Sequence, residues 1–158
     1  MQHEIQRWDW KNWSQISRDV LYELLALRQA IFVVEQECPY LDTDGQDPFA
    51  AHVLGYSNDN ILLCYSRVFL PQSKHKKATI GRVIVHPRAR GKGLGFELMR
   101  QSEALAIQHS PHQISSFSLS AQAHLQHFYG QLGYIVSGPG YDEDGIPHLP
   151  MQKKLEWF

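Results

Sequence analysis

The sequence has little of what marks secreted, membrane or cross-linked proteins. Only two of its 158 residues are cysteines, Cys38 and Cys64, which are too few to staple a secreted domain. No apolar run approaches the roughly 20 residues that cross a bilayer, and the first residues lack the basic and apolar segments of a signal peptide. We therefore expect a cytoplasmic protein with reduced thiols and no membrane partner.

A large excess of charge of either sign is also absent. The chain has 15 basic and 16 acidic side chains and a net charge of -1, which argues against a nucleic-acid-binding protein. Nine histidines are present, but His124 and His127 have no second pair at the spacing of zinc ligands. The aspartates between Asp42 and Pro48 lack the ligand spacing of an EF-hand, so we predict no bound metal.

The composition is that of an ordinary globular domain. Apolar residues make up 43% of the chain and charged residues 20%. No internal repeat, low-complexity stretch or linker divides the sequence. Because the length is typical of one domain with one core, we predict a single domain over residues 1–158.

Hydrophobic periodicity predicts the element order β-α-(α)-β-β-β-α-β-α-β-β. The expected strands cover residues 4–10, 51–56, 61–70, 78–86, 114–120, 134–137 and 149–155. Helices are expected after a cap at Ser17, near residues 31–34, and over residues 91–109 and 122–132. This order predicts an α/β (α+β) fold, with a mixed sheet of about six or seven strands covered by about four helices.

One segment carries a clear chemical signal. A predicted strand stops at Pro87, a short basic loop follows, and Gly91, Gly93 and Gly95 open a helix. Free N–H groups and the helix dipole make such a start an anion site, and glycine lets a phosphate approach the backbone. Arg88, Arg90 and Lys92 add positive charge to this helix start. The segment predicts a pyrophosphate site.

Two familiar nucleotide-binding patterns do not fit this segment. A P-loop needs four residues before a Gly-Lys-Ser/Thr ending, which is missing here. A dinucleotide fingerprint needs Gly-x-Gly-x-x-Gly, usually after the first strand of a βαβ unit. The spacing here is Gly-x-Gly-x-Gly after a late strand, so both patterns are excluded.

The segment resembles the Arg-x-x-Gly-x-Gly signature of the GNAT acetyltransferases, matched by Arg90, Gly93 and Gly95. The strand before it, Val83–Pro87, looks like the preceding strand of that family. Residues 128–134 (Phe-Tyr-Gly-Gln-Leu-Gly-Tyr) resemble its later Phe-Tyr-x-x-x-Gly-Phe motif. In the N-terminal half, residues 27–29, 32–40 and 42–45 are similar to the ElaA-type subgroup.

The resemblance implies the GNAT fold, in which the two central parallel strands, here 78–86 and 114–120, splay apart around acetyl-CoA. Backbone groups of Val83 and Val85 would pair with pantetheine, and the N–H groups from Arg90 to Gly95 would hold the pyrophosphate. Gln122 occupies the place where many relatives carry an asparagine that contacts the cofactor. The implied cofactor-binding residues are Val83, Ile84, Val85, Arg90, Gly91, Lys92, Gly93, Leu94, Gly95, Gln122 and Tyr129.

The same resemblance implies that Tyr129 is the general acid that protonates the leaving thiolate. Tyr129 also lies on the apolar stripe of its predicted helix, so core packing remains an alternative role. Glu35, His52 and His148 are candidates for the base or for contacts with the acceptor. For Glu35 and His52 the alternative is a hydrogen-bonded structural role, and for His148 a solvated loop.

Two acidic segments carry the same two interpretations. The loop of Asp42, Asp44 and Asp47 either attracts a cationic amine to the acceptor entrance or is an ordinary solvated turn. The run Asp142–Glu143–Asp144 allows the same choice.

Together these features predict an acetyl-CoA-dependent N-acetyltransferase acting on an amine of a small molecule or protein, as a monomer or homodimer. The alternative is a non-catalytic acyl-CoA-binding sensor or interaction module, for which the glycine loop is equally expected.

Overall fold

The computed structural model describes residues 4–73 and 77–156. It contains the strands β1 Arg7–Asn12, β2 Ala51–Tyr56, β3 Leu62–Phe69, β4 Lys77–Val85, β5 Ser116–Gln122, β6 Ile135–Val136, β7 Tyr141–Glu143 and β8 Ile146–Lys154. The α-helices are α1 Arg18–Arg28, α2 Leu94–His109 and α3 Gln126–Gln131. A π-helix, Gln29–Glu35, continues α1. The α/β class and mixed sheet predicted from the sequence are confirmed.

The strands form one sheet in the order β1-β2-β3-β4-β5-β8-β6, with β7 paired to β8. Strands β4 and β5 run parallel, but they pair only over residues 77–79 and 116–118. Beyond these three pairs each strand continues without the other as a partner. The two central strands therefore splay apart towards their carboxyl ends.

A β-bulge in β4 lies where the two strands separate. Tyr65 of β3 pairs with Ile84, whereas Arg67, two residues further, pairs with Gly81. Strand β4 thus carries one extra residue, and Arg82 in this stretch has a φ of 50°. A bulge bends its strand and increases the local twist.

Helices cover both faces of the sheet because each face is apolar. On one face α2 and α3 cover a core that includes Leu98, Met99 and Phe117. On the other face α1 and the π-helix pack Leu24 and Ile31 against the sheet. Removal of these side chains from water is the main force holding the layers together.

Helix α1 begins as the sequence predicts, since the Ser17 side chain accepts a hydrogen bond from the N–H of Val20. Both cysteines are free, and burial raises the pKa of the Cys64 thiol to about 12. Within the described ranges no helix is long and apolar enough to span a membrane.

Several predicted boundaries are wrong. The first strand begins at Arg7, not at residue 4, and the strand expected over 114–120 covers 116–122. Helix α2 begins at Leu94, not at residue 91, because Gly91 and Gly93 have φ values of 80° and 77°, which a right-handed helix cannot contain.

The C-terminal region also departs from the prediction. Gln122 ends β5 and does not start a helix, and α3 follows a short 3-10 turn over residues 123–125. The expected loop 138–148 contains the hairpin of β7 and β8, which raises the strands to eight in the described ranges. Its turn places Asp144 and Gly145 at φ values of 55° and 81°. Asp-Gly is a known hairpin signal that the sequence interpretation missed.

Candidate active site

A cavity of about 990 Å³ lies in the gap between the diverging strands. One wall is β4 from Thr79 to Val85, and the facing wall includes Leu119 and Gln122 of β5. The π-helix, the loop that follows it, α3 and the β7–β8 hairpin complete the lining. The cavity therefore opens where the sheet lacks a paired neighbour.

The glycine loop lies at one end of this cavity, between β4 and α2. A β-carbon added at Gly91 or Gly93 would have no atom within 4 Å, so both positions require glycine for their left-handed backbone. At Gly95 a β-carbon would lie 3.1 Å from the Phe128 ring, which makes this glycine a packing requirement. The first N–H groups of α2, which have no carbonyl partner within the helix, leave this turn free to accept an anion.

The basic side chains of this loop already have acidic partners. The Arg90 guanidinium donates to both carboxylate oxygens of Glu35, at 2.8 and 3.2 Å, and its Nε donates to the Val85 carbonyl at 3.1 Å. The Lys92 ammonium lies 3.1 Å from a Glu4 oxygen. Exposed pairs of this kind contribute only about 0–1 kcal/mol, so an incoming anion can exchange with them.

Tyr129 lies on α3 and is only 6% exposed. Its ring packs edge-on against Phe128 and Tyr134, and it also lines the cavity. In the part of the chain that the structure describes, its hydroxyl group has no hydrogen-bond partner. Burial raises the pKa of Tyr129 to about 12, which keeps the phenol protonated at neutral pH. Core packing and a position facing the cavity are thus compatible.

Two of the three predicted base candidates line the cavity. Glu35 does so beside Arg90, as described above. His148 lies on β8, buried and not in a solvated loop, with its Nδ1 2.7 Å from the Ile146 carbonyl. Since a carbonyl can only accept, this nitrogen carries the hydrogen, and Nε2 faces Glu143 at 3.2 Å.

His52 does not reach the cavity. Its side chain is fully buried, its Nε2 donates to the Asp47 carbonyl at 3.1 Å, and its Nδ1 accepts from the Tyr65 hydroxyl at 2.6 Å. Burial lowers the pKa of His52 and favours this neutral form. The structure therefore gives His52 the hydrogen-bonded structural role that the sequence left as the alternative.

The acidic loop after the π-helix is locked by three arginines from distant parts of the chain. We call this set the Asp–Arg cluster; its members are Asp42, Asp44, Asp47, Arg28, Arg67 and Arg82. Arg28 is fully buried and bonds Asp42 and Asp47, both at 2.7 Å. Three acids and three bases balance, so the loop is not a net negative surface; Asp42 and Asp47 are buried in it, whereas residues 43–46 are exposed.

Two further contacts join this cluster to the sheet. Arg67 of β3 binds Asp44 in a fork, with both N···O distances at 2.9 Å, and also reaches Asp47 at 2.9 Å. Hydrogen bonds from Arg67 are the main cause of the strongly lowered pKa of Asp44. Burial alone would raise the pKa of Asp47, but its bonds from Arg28 and Arg67 outweigh burial and lower it.

The third arginine is in an unusual backbone conformation. Arg82 has its φ of 50° in the bulge of β4, and its Nε donates to Asp42 at 2.8 Å. A residue other than glycine held in the left-handed region costs on the order of 1–3 kcal/mol and persists only where its surroundings enforce it. Asp42, itself bonded by Arg28, is the nearest such contact of the Arg82 side chain.

The second acidic segment, Asp142–Asp144, is exposed on the β7–β8 hairpin. The hairpin is joined to the rest of the cavity wall by a short hydrogen bond between Ser120 and Tyr141 and by the Cys38 thiol, 3.1 Å from the Asp144 carbonyl. Within residues 4–73 and 77–156, no three side chains of the types that bind metals converge.

The sequence interpretation missed the three arginines as site residues. One signal was available for Arg28, which takes a core position in the apolar spacing of α1 together with Leu21, Leu24 and Leu25. A charged side chain at a core position requires a buried partner. Arg67 and Arg82 gave no comparable signal, because alternation alone does not show which strand residues meet a distant loop.

The chain also matches known proteins. Residues 50–155 match the family model of the acetyltransferase (GNAT) domain. The chain therefore belongs to the GNAT acetyltransferase family, as the signature around Arg90 predicted. Within that family it is similar to Protein ElaA of Escherichia coli strain K12, with 41% identity over 150 residues that cover 94% of this chain and 96% of that protein.

Two solved structures agree with this placement. The crystal structure of Escherichia coli ElaA gives a TM-score of 0.84 and covers 94% of this chain and 99% of that one. An acyl-CoA N-acyltransferase from Pseudomonas aeruginosa, 37% identical, gives the same TM-score and the same coverage. The likeness to the ElaA-type subgroup predicted from the N-terminal half is thus confirmed.

Proposed function

We propose that this chain is one N-acyltransferase domain that moves the acetyl group of acetyl-CoA to an amine. The observation that carries the proposal is the cavity in the strand gap, with the glycine loop at one end and Tyr129 in its wall. The name of the Pseudomonas aeruginosa relative, an acyl-CoA N-acyltransferase, supports the same reaction class.

In this proposal the pyrophosphate of acetyl-CoA binds at the start of α2. Amide N–H groups between Arg90 and Gly95, together with the side chains of Arg90 and Lys92, supply the positive end of the site. The pantetheine arm follows Val83, Ile84 and Val85, a stretch of β4 that does not pair with β5. Gln122 contacts the arm from the opposite wall.

Acyl transfer then proceeds by direct attack of the neutral amine on the thioester carbonyl. The new C–N bond forms as the tetrahedral adduct builds up, and the C–S bond breaks when it collapses. Tyr129 donates a proton to the departing sulfur. Because its raised pKa disfavours a free phenolate, we propose that the attacking nitrogen returns a proton to Tyr129. Glu35 and His148 remain the candidates for removing the proton of an ammonium acceptor.

Calorimetric titration with acetyl-CoA tests the binding site. Gly93→Val places a β-branched side chain at a φ of 77°, where the cost of the left-handed backbone distorts the turn. We expect binding to fall below detection. Gly130→Ala is the control, since a β-carbon there meets no atom within 4 Å, its φ is not in the left-handed region, and this exposed residue does not line the cavity. Unaltered affinity in Gly93→Val would contradict the loop assignment.

Release of free CoA thiol across a panel of amines tests the chemistry. Tyr129→Phe keeps the ring packing and removes the donor, so we expect turnover to fall by about 100-fold with little change in acetyl-CoA affinity. An unchanged rate removes the acid role. Binding of acetyl-CoA without thiol release for any amine in the panel would favour the sensor over the enzyme.

A further inference from the structure

Arg82 combines two features that are seldom found together inside a strand. Its backbone is left-handed, with a φ of 50°, although it is not a glycine. It also lies in the bulge where β4 loses β5 as its neighbour, since pairing with β5 ends at Thr79. Arg82 itself and the residues that follow it, Val83 to Val85, lie in one wall of the cavity. The conformation of Arg82 thus sets the direction of that wall.

The side chain of Arg82 is held at several points. Its Nε donates to an Asp42 carboxylate oxygen at 2.8 Å, and its terminal nitrogen donates to the Asp42 carbonyl at 3.1 Å and approaches Asp44 at 3.5 Å. The guanidinium also lies over the Phe32 ring, with its carbon 5.9 Å from the ring centre. Three residues, Asp42, Asp44 and Phe32, therefore hold this side chain.

Asp42 can serve as an anchor because it is itself immobilised. Arg28 bonds its carboxylate at 2.7 Å and its carbonyl at 3.1 Å, and Arg28 is in turn bonded to Asp47. Arg67 ties Asp47 to β3. The anchor of Arg82 is therefore connected to α1 and β3.

Stability alone is a weak explanation for the Asp–Arg cluster. Buried ion pairs add little beyond what apolar side chains of similar size would contribute, and in some proteins they are retained because they specify one geometry. Strained backbone that is enforced by its surroundings is concentrated at functional sites. The role of the cluster is therefore to be sought in the backbone that it holds, at Arg82 in the bulge of β4.

We infer that the Asp–Arg cluster is a positioning device for acyl transfer, in which Asp42 holds Arg82 in the left-handed conformation that keeps the cavity wall open for the pantetheine arm. The inference rests on the proposed function. Arg82 is a positioning residue and not a catalytic one, because it acts through the backbone of Val83–Val85. The positioning by Asp42 and Arg82 concerns β4, and the glycine loop and Tyr129 do not depend on it.

Arg82→Gly and Arg82→Ala separate this role from a merely structural one. Both variants lose the same contacts with Asp42, but only glycine adopts a positive φ freely. We expect Arg82→Gly to bind acetyl-CoA within about three-fold of the natural protein, and Arg82→Ala to bind it about ten-fold more weakly. A simple loss of ion pairs would affect both alike, with glycine slightly worse because it loosens the strand.

A second ligand confirms where the loss occurs. Adenosine 3′-phosphate 5′-diphosphate carries the pyrophosphate without the pantetheine arm, so calorimetry should give the same affinity for the natural protein and both variants. If all three proteins bind this probe alike and the two variants also bind acetyl-CoA equally, the inference is overturned and the proposed function stands. If the natural protein binds neither ligand, the proposed function fails and takes the inference with it.

A second pair of variants covers the case in which these two do not fold. Arg82→Asn retains a polar side chain of a type that tolerates the left-handed region, whereas Arg82→Val is a β-branched residue that does not. We expect Asn to follow the behaviour of glycine and Val to follow that of alanine. The reverse order, or no difference between them, would contradict the role of the backbone.

Discussion

Two acidic segments border the same cavity, and they differ in almost everything except composition. Asp42 and Asp47 are buried and bound to arginines from α1 and β3, whereas Asp142–Asp144 lie exposed at the tip of a hairpin. The side chains of the first segment are held by ion pairs with arginines, which balance its negative charge. The second keeps its charge in contact with solvent. A run of acidic letters thus acquires its role from partners that are far away in the sequence.

The difference also separates two kinds of contribution to the site. The segment with Asp42, Asp44 and Asp47 contributes to the geometry of the cavity wall, since each of its carboxylates already has an arginine partner. The exposed segment retains carboxylates that can meet a positively charged acceptor, as was first considered for both. Under the inference above, the Asp–Arg cluster determines the shape of the site. On the hairpin, Glu143 already faces His148 at 3.2 Å, and Asp142 and Asp144 are exposed.

The same substitution in both segments should give the largest contrast. Asp47→Asn leaves Arg28 and Arg67 buried with too little negative charge, and we expect it to lower the free energy of unfolding by about 3 kcal/mol. Asp144→Asn preserves a residue that tolerates a positive φ on an exposed turn, and it should change stability by less than about 0.5 kcal/mol. Urea unfolding measures both. Equal losses would show that burial of the cluster is not what separates the segments.

Lowering the pH should reduce the folding stability that His52, Asp44 and Asp47 contribute, in two stages. The pKa of buried His52 is lowered, so below its ordinary value of 6.5 the unfolded chain takes up the proton first and the folded state loses stability. The pKa values of Asp44 and Asp47 are also lowered, which gives a second loss below 3.8. Urea unfolding at a series of pH values measures both stages. His52→Gln should reduce the first stage and leave the second; the remainder comes from His86, whose pKa is also lowered by burial and by Arg88 and Arg90. A first stage of unchanged size in this variant would exclude His52 as a source.

Glu35 represents a case between the two segments, because it is paired with Arg90 but partly exposed. We expect Glu35→Gln to tighten CoA binding by about two- to five-fold, since the pyrophosphate no longer competes with a carboxylate for Arg90. The gain should vanish in the background of Arg90→Leu, which removes the shared partner. Calorimetry on the four proteins forms a complete cycle, and a gain that survives without Arg90 would place its origin elsewhere.

Local patterns predicted the fold well. The cap at Ser17, the hairpin strands and the strand before Pro87 all depend on near neighbours, and the structure confirms them, with that strand ending at Val85. The start of α2 was misplaced because the glycines that signal a loop also lie next to a good helix sequence. The β7–β8 hairpin was missed although Asp144-Gly145 carried its signal.

The site was predictable to the extent that it is local. The glycine loop is one continuous segment, so its position between a strand and a helix could be inferred from spacing, although the residue at which the helix begins could not. The Asp–Arg cluster joins residues 14 to 40 positions apart, and periodicity contains no information on which of them meet. His52 illustrates the same limit, because only the fold shows that its two ring nitrogens are occupied by Tyr65 and Asp47.

The short parallel pairing of β4 with β5 has a mechanical consequence. Three residue pairs form the seam between one lobe that ends with β4 and another that begins with β5. A ligand bound in the gap contacts both lobes and holds them together. Filling the gap should therefore raise the melting temperature of the entire sheet and slow amide exchange on both sides of the seam, even at strands that never touch the ligand.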